Sequence, residues 1–174
     1  AEHAGQAEAR QSAPFRGKLT GVGVGPGDPE LLTYKAMKHI QNCDLLVLPD
    51  SDRGNCVAYQ IVEKAWAGVR NKPVLQVAMP MTHDKARSHL AAARAVERHL
   101  DQGKQVVFLT LGDPSVYSTY FYLHRQITAD GYEAEMVPGV PSFCAAAAQL
   151  GRSLGMGTEM IHIIPSWHGV EQGL

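Results

Sequence analysis

A chain of 174 residues with 45% hydrophobic content is long enough for one well-buried domain, or one and a fraction. Its formal net charge of -1 gives no reason to expect nucleic acid or an anionic membrane as a partner. No apolar run approaches the roughly 20 residues that a transmembrane helix needs, so no membrane span is expected. The first residues, 1–16, are rich in Ala, Glu, Gln, Arg and Ser without a hydrophobic core segment, and they read as a flexible, solvated tail and not as a signal peptide. Cys43, Cys56 and Cys144 show no C-x-x-C spacing and cannot all pair, which fits buried thiols in a reducing cytoplasm better than a disulfide framework.

In chain order, 18–24 (K-L-T-G-V-G-V) reads as a first strand running into Gly25-Pro26-Gly27-Asp28-Pro29. Asp28, Pro29 and Glu30 form a helix start: a cap, a proline at the first position and an acid near the positive end. Leu31, Leu32, Ala36, Met37 and Ile40 follow at helical spacing, predicting a helix over 29–41. A strand over 44–48 ends at Pro49, a helix covers 55–66, and a strand over 73–77 leads to Met79-Pro80-Met81. A long helix is expected over 84–100, with Ala86, Leu90, Ala93, Val96 and Leu100 on its buried face. A strand over 105–111 precedes a helix over 118–129, in which Tyr120 and Tyr122 read as core aromatics. Then come a strand over 133–137, a small-residue helix over 141–150 and the start of one more strand over 160–164. Strands alternating with helices predict an α/β fold: a mostly parallel five-stranded sheet with helices on both faces.

Nearly every strand ends in a proline or glycine loop, so these loops gather at the carboxyl edge of the sheet, where ligands sit in open α/β folds. The most informative stretch is L-T-L-G-D-P-S-V-Y-S-T over 109–119. It turns abruptly at Gly112-Asp113-Pro114 and presents Asp113, Ser115, Tyr117, Ser118 and Thr119 together. On spacing alone, the same turn equally suits an Asp that only caps a helix. The alternating glycines Gly21, Gly23 and Gly25 do not make the G-x-G-x-x-G of dinucleotide binding. Pro26 removes a donor, and Asp28 puts a negative charge where a phosphate would lie. No G-K-[ST] loop and no G-x-S-x-G elbow occur, so the serines near Asp113 read as hydrogen-bonding groups. His83 and His89, like His162 and His168, are too far apart to form a helical i, i+4 ligand pair, and no metal site is expected. Met79 and Met81 suit either ordinary packing or an apolar pocket lining.

Three stretches, G-V-G-P-G-D-P-E-L-L-T over 23–33, L-G-D-P-S-V-Y-S-T over 111–119 and V-P-G-V-P-S-F over 137–143, resemble the tetrapyrrole methylases. Within that family, P-M-T at 80–82 together with T-L-G-D-P-S-V-Y-S-T is most similar to the precorrin-2 / cobalt-factor II C(20)-methyltransferases of cobalamin synthesis. The resemblance covers about 17–165 and departs at Pro141, where relatives commonly carry Thr or Ser. It implies that 17–158 form the N-terminal α/β methylase domain. The residues 159–174 would then be a linker or the start of a second, truncated α/β domain.

The resemblance further implies S-adenosylmethionine as cofactor, bordered by Pro26, Leu111, Gly112, Asp113, Val116, Ser118, Thr119, Pro141 and Ser142. It implies a reduced tetrapyrrole as substrate, with Tyr117, Met81 and Thr82 as the residues expected to touch it. A homodimer is implied as well. The bridging carbon of a reduced tetrapyrrole is already enamine-like, so no strong base is required, and no catalytic residue is assigned. The alternatives are a methyltransferase of the same family acting on another precorrin position or another acceptor, and a non-catalytic ligand-binding half-domain.

Overall fold

The computed structural model describes residues 16–49, 52–79 and 85–165. Five strands, β1 (Lys18–Gly23), β2 (Leu45–Pro49), β3 (Val74–Val77), β4 (Val106–Thr110) and β5 (Glu133–Val137), alternate with five helices. The helices are α1 (Tyr34–Asn42), α2 (Val57–Ala65), α3 (Lys85–Leu100), α4 (Tyr120–Ala129) and α5 (Ser142–Gln149), and single 3-10 turns cover Pro29–Leu31 and Ala67–Asn71. The chain divides into two units, one ending at Pro141 that holds the whole sheet with α1 to α4, and one beginning at Ser142 that holds α5.

The sheet is parallel throughout, in the order β3-β2-β4-β1-β5, as the alternation of elements predicts. Alternate residues of each strand face opposite sides. Val22, Leu46, Leu48, Val107 and Leu109 pack with Ala36 and Ile40 of α1 and Ile61 and Val62 of α2. Leu19, Leu45, Val47, Val106 and Phe108 pack on the other side with Ala93, Val96 and Leu100 of α3 and Leu123 and Ile127 of α4. Both faces are therefore covered, which is why the central strands read as unbroken apolar runs. From β1 the chain moves toward β2, and from β4 toward β5, in opposite directions across the sheet. The carboxyl ends of β1 and β4 consequently flank a topological switch point, where a crevice opens in sheets of this kind.

Several elements depart from the sequence-based expectation. The helix expected over 29–41 breaks into a 3-10 turn capped by Asp28 and a separate α1 that starts at Tyr34. Thr33 is the reason: its hydroxyl accepts from the Ala36 N–H at 3.0 Å and caps the second start. On α3 the buried face is His89, Ala92, Ala93, Val96, Glu97 and Leu100, whereas Ala86 and Leu90 are exposed. Tyr120 is fully buried as expected, but Tyr122 is exposed and stacks on His89 with ring centroids 4.7 Å apart. Residues 160–164 form no strand. Apolar β-branched composition makes a strand only where a ladder partner exists, and no pairing is found for them among the described residues. Met79 is buried in the core with α3 and α4, which supports its packing role. Cys43 and Cys56 are buried, Cys144 is exposed, and burial pushes the Cys43 thiol up to about 11. Among the described residues, no helix is long and apolar enough to cross a membrane, and no cluster of ligating side chains could hold a metal ion.

Gly21 of β1 lies directly under the ring of Tyr120, so that a Cβ there would collide with the ring carbons. The ring is held from its far end, where the hydroxyl donates to the Glu135 carbonyl at 2.7 Å. Gly21→Ala must therefore displace a fully buried aromatic residue. We expect denaturant unfolding to show a loss of about 1–3 kcal/mol; unchanged stability would mean that the ring moves freely.

Candidate functional site

The loops leaving β1, β4 and β5 meet at the carboxyl edge. Beyond the ends of their strands, Gly25 and Gly112 exchange two backbone hydrogen bonds, Gly112 N–H to Gly25 O at 2.8 Å and Gly25 N–H to Gly112 O at 3.2 Å. This antiparallel bridge is possible because Gly112 takes φ 66°, a left-handed value that a side chain would resist. The third loop joins through Asp113, whose Oδ2 accepts from the Gly139 N–H at 2.9 Å. The Gly112 carbonyl in turn lies against Gly23 and Gly139.

Asp113 is the centre of this brace. Its Oδ1 accepts from the Ser115 N–H at 2.8 Å and also from the Ser115 hydroxyl. Burial pushes its carboxyl upward. The bonds from the Ser115 hydroxyl, the Ser115 N–H and the Gly139 N–H outweigh that effect and hold the pKa below the ordinary value. A carboxylate offers about four acceptor positions, and three are filled here, so Oδ2 keeps capacity for one more donor. The Asp thus both shapes the turn and presents an open acceptor.

The other expected cofactor residues fall around this brace. Pro26 follows Gly25 and is half-buried, and Leu111 is exposed just beyond the end of β4. The Val116 N–H closes the turn onto the Asp113 carbonyl at 3.3 Å. Ser118 Oγ lies 2.8 Å from Thr110 Oγ1 and accepts from the Tyr120 N–H at 3.2 Å, so it caps α4 while tied to the strand behind it. Thr119 occupies the residue before α4 and makes no side-chain cap bond. Pro141 closes the first unit: a Cβ built on Gly112 would meet only the Pro141 Cα at 3.9 Å and the Val140 carbonyl at 4.0 Å. Ser142 belongs to the second unit, where it opens α5. Tyr117 sits in the same turn with an exposed ring. Met81 and Thr82, expected to touch substrate, lie outside the described residues.

The sequence-based list left out Thr110, Gly25 and Gly139. Each carries a signal of kinds already read: a threonine ending an apolar strand, and glycines beside prolines in two of the three quoted stretches. What periodicity cannot provide is their mutual contact, which depends on strand order.

Comparison with known proteins gives consistent results. The sequence profile of the Tetrapyrrole (Corrin/Porphyrin) Methylases matches residues 18–174. The probable cobalt-precorrin-2 C(20)-methyltransferase of Methanocaldococcus jannaschii is 35% identical over 156 residues, spanning 89% of this chain and 66% of that protein. The cobalt-precorrin-2 C(20)-methyltransferase of Salmonella typhimurium is 31% identical over 153 residues, 86% of this chain and 64% of that protein. Among solved structures, uroporphyrin-III C-methyl transferase from Thermus thermophilus complexed with S-adenyl homocysteine superimposes with a TM-score of 0.55 at 28% identity. That match covers 75% of this chain and 48% of the other. The chain therefore spans about two thirds of the length of these curated relatives and about half of the solved one.

The depressed carboxyl of Asp113 makes a pH prediction. Because the folded group ionises at lower pH than the unfolded one, its stabilisation is complete above the ordinary value of 3.8 and is lost as pH falls through the folded value. Asp113→Asn should accordingly melt below the wild type at neutral pH, and the gap in Tm should close below about pH 3.8. A gap independent of pH would show that the charge contributes nothing to the brace.

Proposed function

The chain belongs to the tetrapyrrole (corrin/porphyrin) methylases, and from that premise we propose that its protein transfers a methyl group from S-adenosylmethionine to a reduced tetrapyrrole. The acceptor we assign is precorrin-2 or its cobalt form, methylated at carbon 20 in cobalamin biosynthesis, because two relatives at 35% and 31% identity carry that activity in their names.

The observation that carries the cofactor part is the brace itself. The room beside Gly112, bordered only by Pro141 and Val140, is a cradle that any side chain would fill. The same turn offers polar groups: the spare acceptor position on Asp113 Oδ2 and the paired hydroxyls of Thr110 and Ser118. This set fits a ligand carrying an ammonium and hydroxyls, and its negative charge disfavours a polyphosphate. Pro26, Leu111, Gly112, Asp113, Val116, Ser118, Thr119 and Pro141 would hold the cofactor. When bound, S-adenosylmethionine supplies an electrophilic methyl group on a positively charged sulfur.

The part played by the chain's own residues is positional. Methyl transfer is an in-line displacement, so the rate depends on holding donor and acceptor at a fixed approach. Asp113 and Ser118 serve this by being oriented through bonds to Ser115, Gly139 and Thr110 before any ligand arrives. The acceptor carbon of a reduced tetrapyrrole is itself electron-rich, so the transfer requires no nucleophile–base pair from the protein. The resemblance also carries a homodimeric enzyme, and the buried thiols Cys43 and Cys56 fit a reducing compartment such as the cytoplasm.

Calorimetry with S-adenosylhomocysteine on the full-length protein tests the cofactor reading. Asp113→Ala removes a charge-assisted acceptor and should weaken binding by about 1.5–3 kcal/mol, tenfold or more. Gly112→Val, which forces a β-branched residue into a left-handed turn and fills the cradle, should abolish binding. Incubating the wild type anaerobically with S-adenosylmethionine and precorrin-2 should add one methyl group by mass. Normal affinity in both variants would place the cofactor elsewhere.

A further inference from the structure

Away from the rim, α3 and α4 lie on the same face of the sheet, and a cleft of about 310 Å³ opens between them. Two alanines leave the room for it: Ala86 of α3 and Ala129 of α4 stand where longer side chains would close the gap. Leu90 and Tyr122, each 44% exposed, form its walls together with Arg125. His89 lines it from beneath, only 8% exposed, with the Tyr122 ring stacked on its imidazole. Two features set this cleft apart from an ordinary solvated surface. The His89 Nε2 is buried and has no hydrogen-bond partner, a costly condition that few native polar atoms are left in. Arg125 makes no ion pair among the described residues. The nearby donors are already engaged: Arg94 pairs with Glu97 and Asp130, and the Gln126 amide donates to Asp130 at 2.8 Å. Within α3 and α4, the arginines Arg87, Arg94, Arg98 and Arg125 face a single acid, Glu97, although the whole chain carries a net charge of -1.

We propose that the α3–α4 cleft is a second binding site, separate from the rim, which takes a small organic carboxylate. Its size is that of a small-molecule site, and its make-up is of that kind too: mostly apolar walls with a few polar groups that fix orientation. Arg125 supplies a charge-assisted donor pair for the carboxylate. Leu90, Tyr122 and the two alanines receive the hydrocarbon body, which is what favours an organic acid over a free phosphate. The tautomer of His89 with its proton on Nε2 supplies the third donor. That atom is enclosed while Tyr122 lies on the imidazole. Tyr122 is an exposed side chain, and such rings change rotamer within nanoseconds, so it turns aside as the ligand enters. Binding then gives the buried nitrogen the partner it lacks.

The test uses the full-length protein with benzoate as the probe, followed through the histidine ring signals by NMR. Benzoate should shift the His89 signals saturably, and acetate, which has no body to fill the walls, should bind more weakly. Arg125→Gln should weaken benzoate about tenfold or more, the loss of a charge-assisted bond. His89→Leu replaces the unpartnered polar atom by an apolar group, so it should melt at or above the wild-type Tm while binding benzoate at least about threefold more weakly. Affinity for S-adenosylhomocysteine should stay within about threefold in both variants, and saturating S-adenosylhomocysteine should leave benzoate bound. The proposal is overturned if the wild type shows no saturable shift up to about 50 mM benzoate. Unchanged benzoate affinity in Arg125→Gln overturns it as well. So does displacement of benzoate by S-adenosylhomocysteine, which would put the probe in the rim. A change of oligomeric state in Arg125→Gln by sedimentation, with benzoate binding unchanged, would make the cleft a face between copies instead.

Discussion

The whole carboxyl edge depends on one close backbone approach, the two-way bridge between Gly25 and Gly112. Parallel strands bring their ends out side by side, but nothing in a ladder obliges the loops beyond them to stay together. The bridge extends pairing past the end of β1 and β4, and the bond from the Gly139 N–H to Asp113 brings in the loop of β5. Three loops are thereby tied into one rim. A binding surface made of loops is only as precise as the bonds that hold the loops, and here those bonds are made within the protein before any ligand contributes.

That rim holds one strained residue, Tyr117, in the left-handed region, beside Gly112, which adopts it freely. The structure tolerates it because the sheet beneath is packed on both faces. Val22, Val107 and Leu109 press against α1 and α2, while Phe108 and Tyr120 lie on the side of α3 and α4. A central strand with all five of its residues buried gives β4 little freedom to relax the turn that follows it. Stability in the core and tension at the edge are thus two parts of one arrangement.

Much of this was legible in the sequence. The strands were placed within a residue at either end, and β5 without any difference, because continuous apolar runs closed by proline or glycine leave little ambiguity. The Gly112-Asp113-Pro114 turn stood out for the same reason. What failed depended on information that periodicity does not hold. Thr33 divided a helix because a side-chain cap competes with continuation. His89 and Glu97 took buried positions on α3 that an apolar count assigned elsewhere, and Leu90 was left outside. Residues 160–164 have the composition of a strand, but composition cannot supply a neighbour to pair with. The double role of Asp113 was equally hidden, since its bond to Gly139 joins residues 26 apart through a strand order that no local pattern reveals.

The position of β1 has a consequence for how the chain assembles. It is made first but pairs only with β4 and β5, so Thr20 reaches its partner Glu135 across 115 residues. On a ribosome the first strand emerges long before either neighbour, and its apolar residues Leu19 and Val22 must wait uncovered while most of the domain is synthesised. The rim cannot order before β4 is made, because the Gly25 loop has nothing to bridge until then. Closing such distant pairs is slow and leaves unpaired strand edges exposed in the interval. Until β4 and β5 arrive, both edges of β1 are therefore unpaired and open to pairing with another chain.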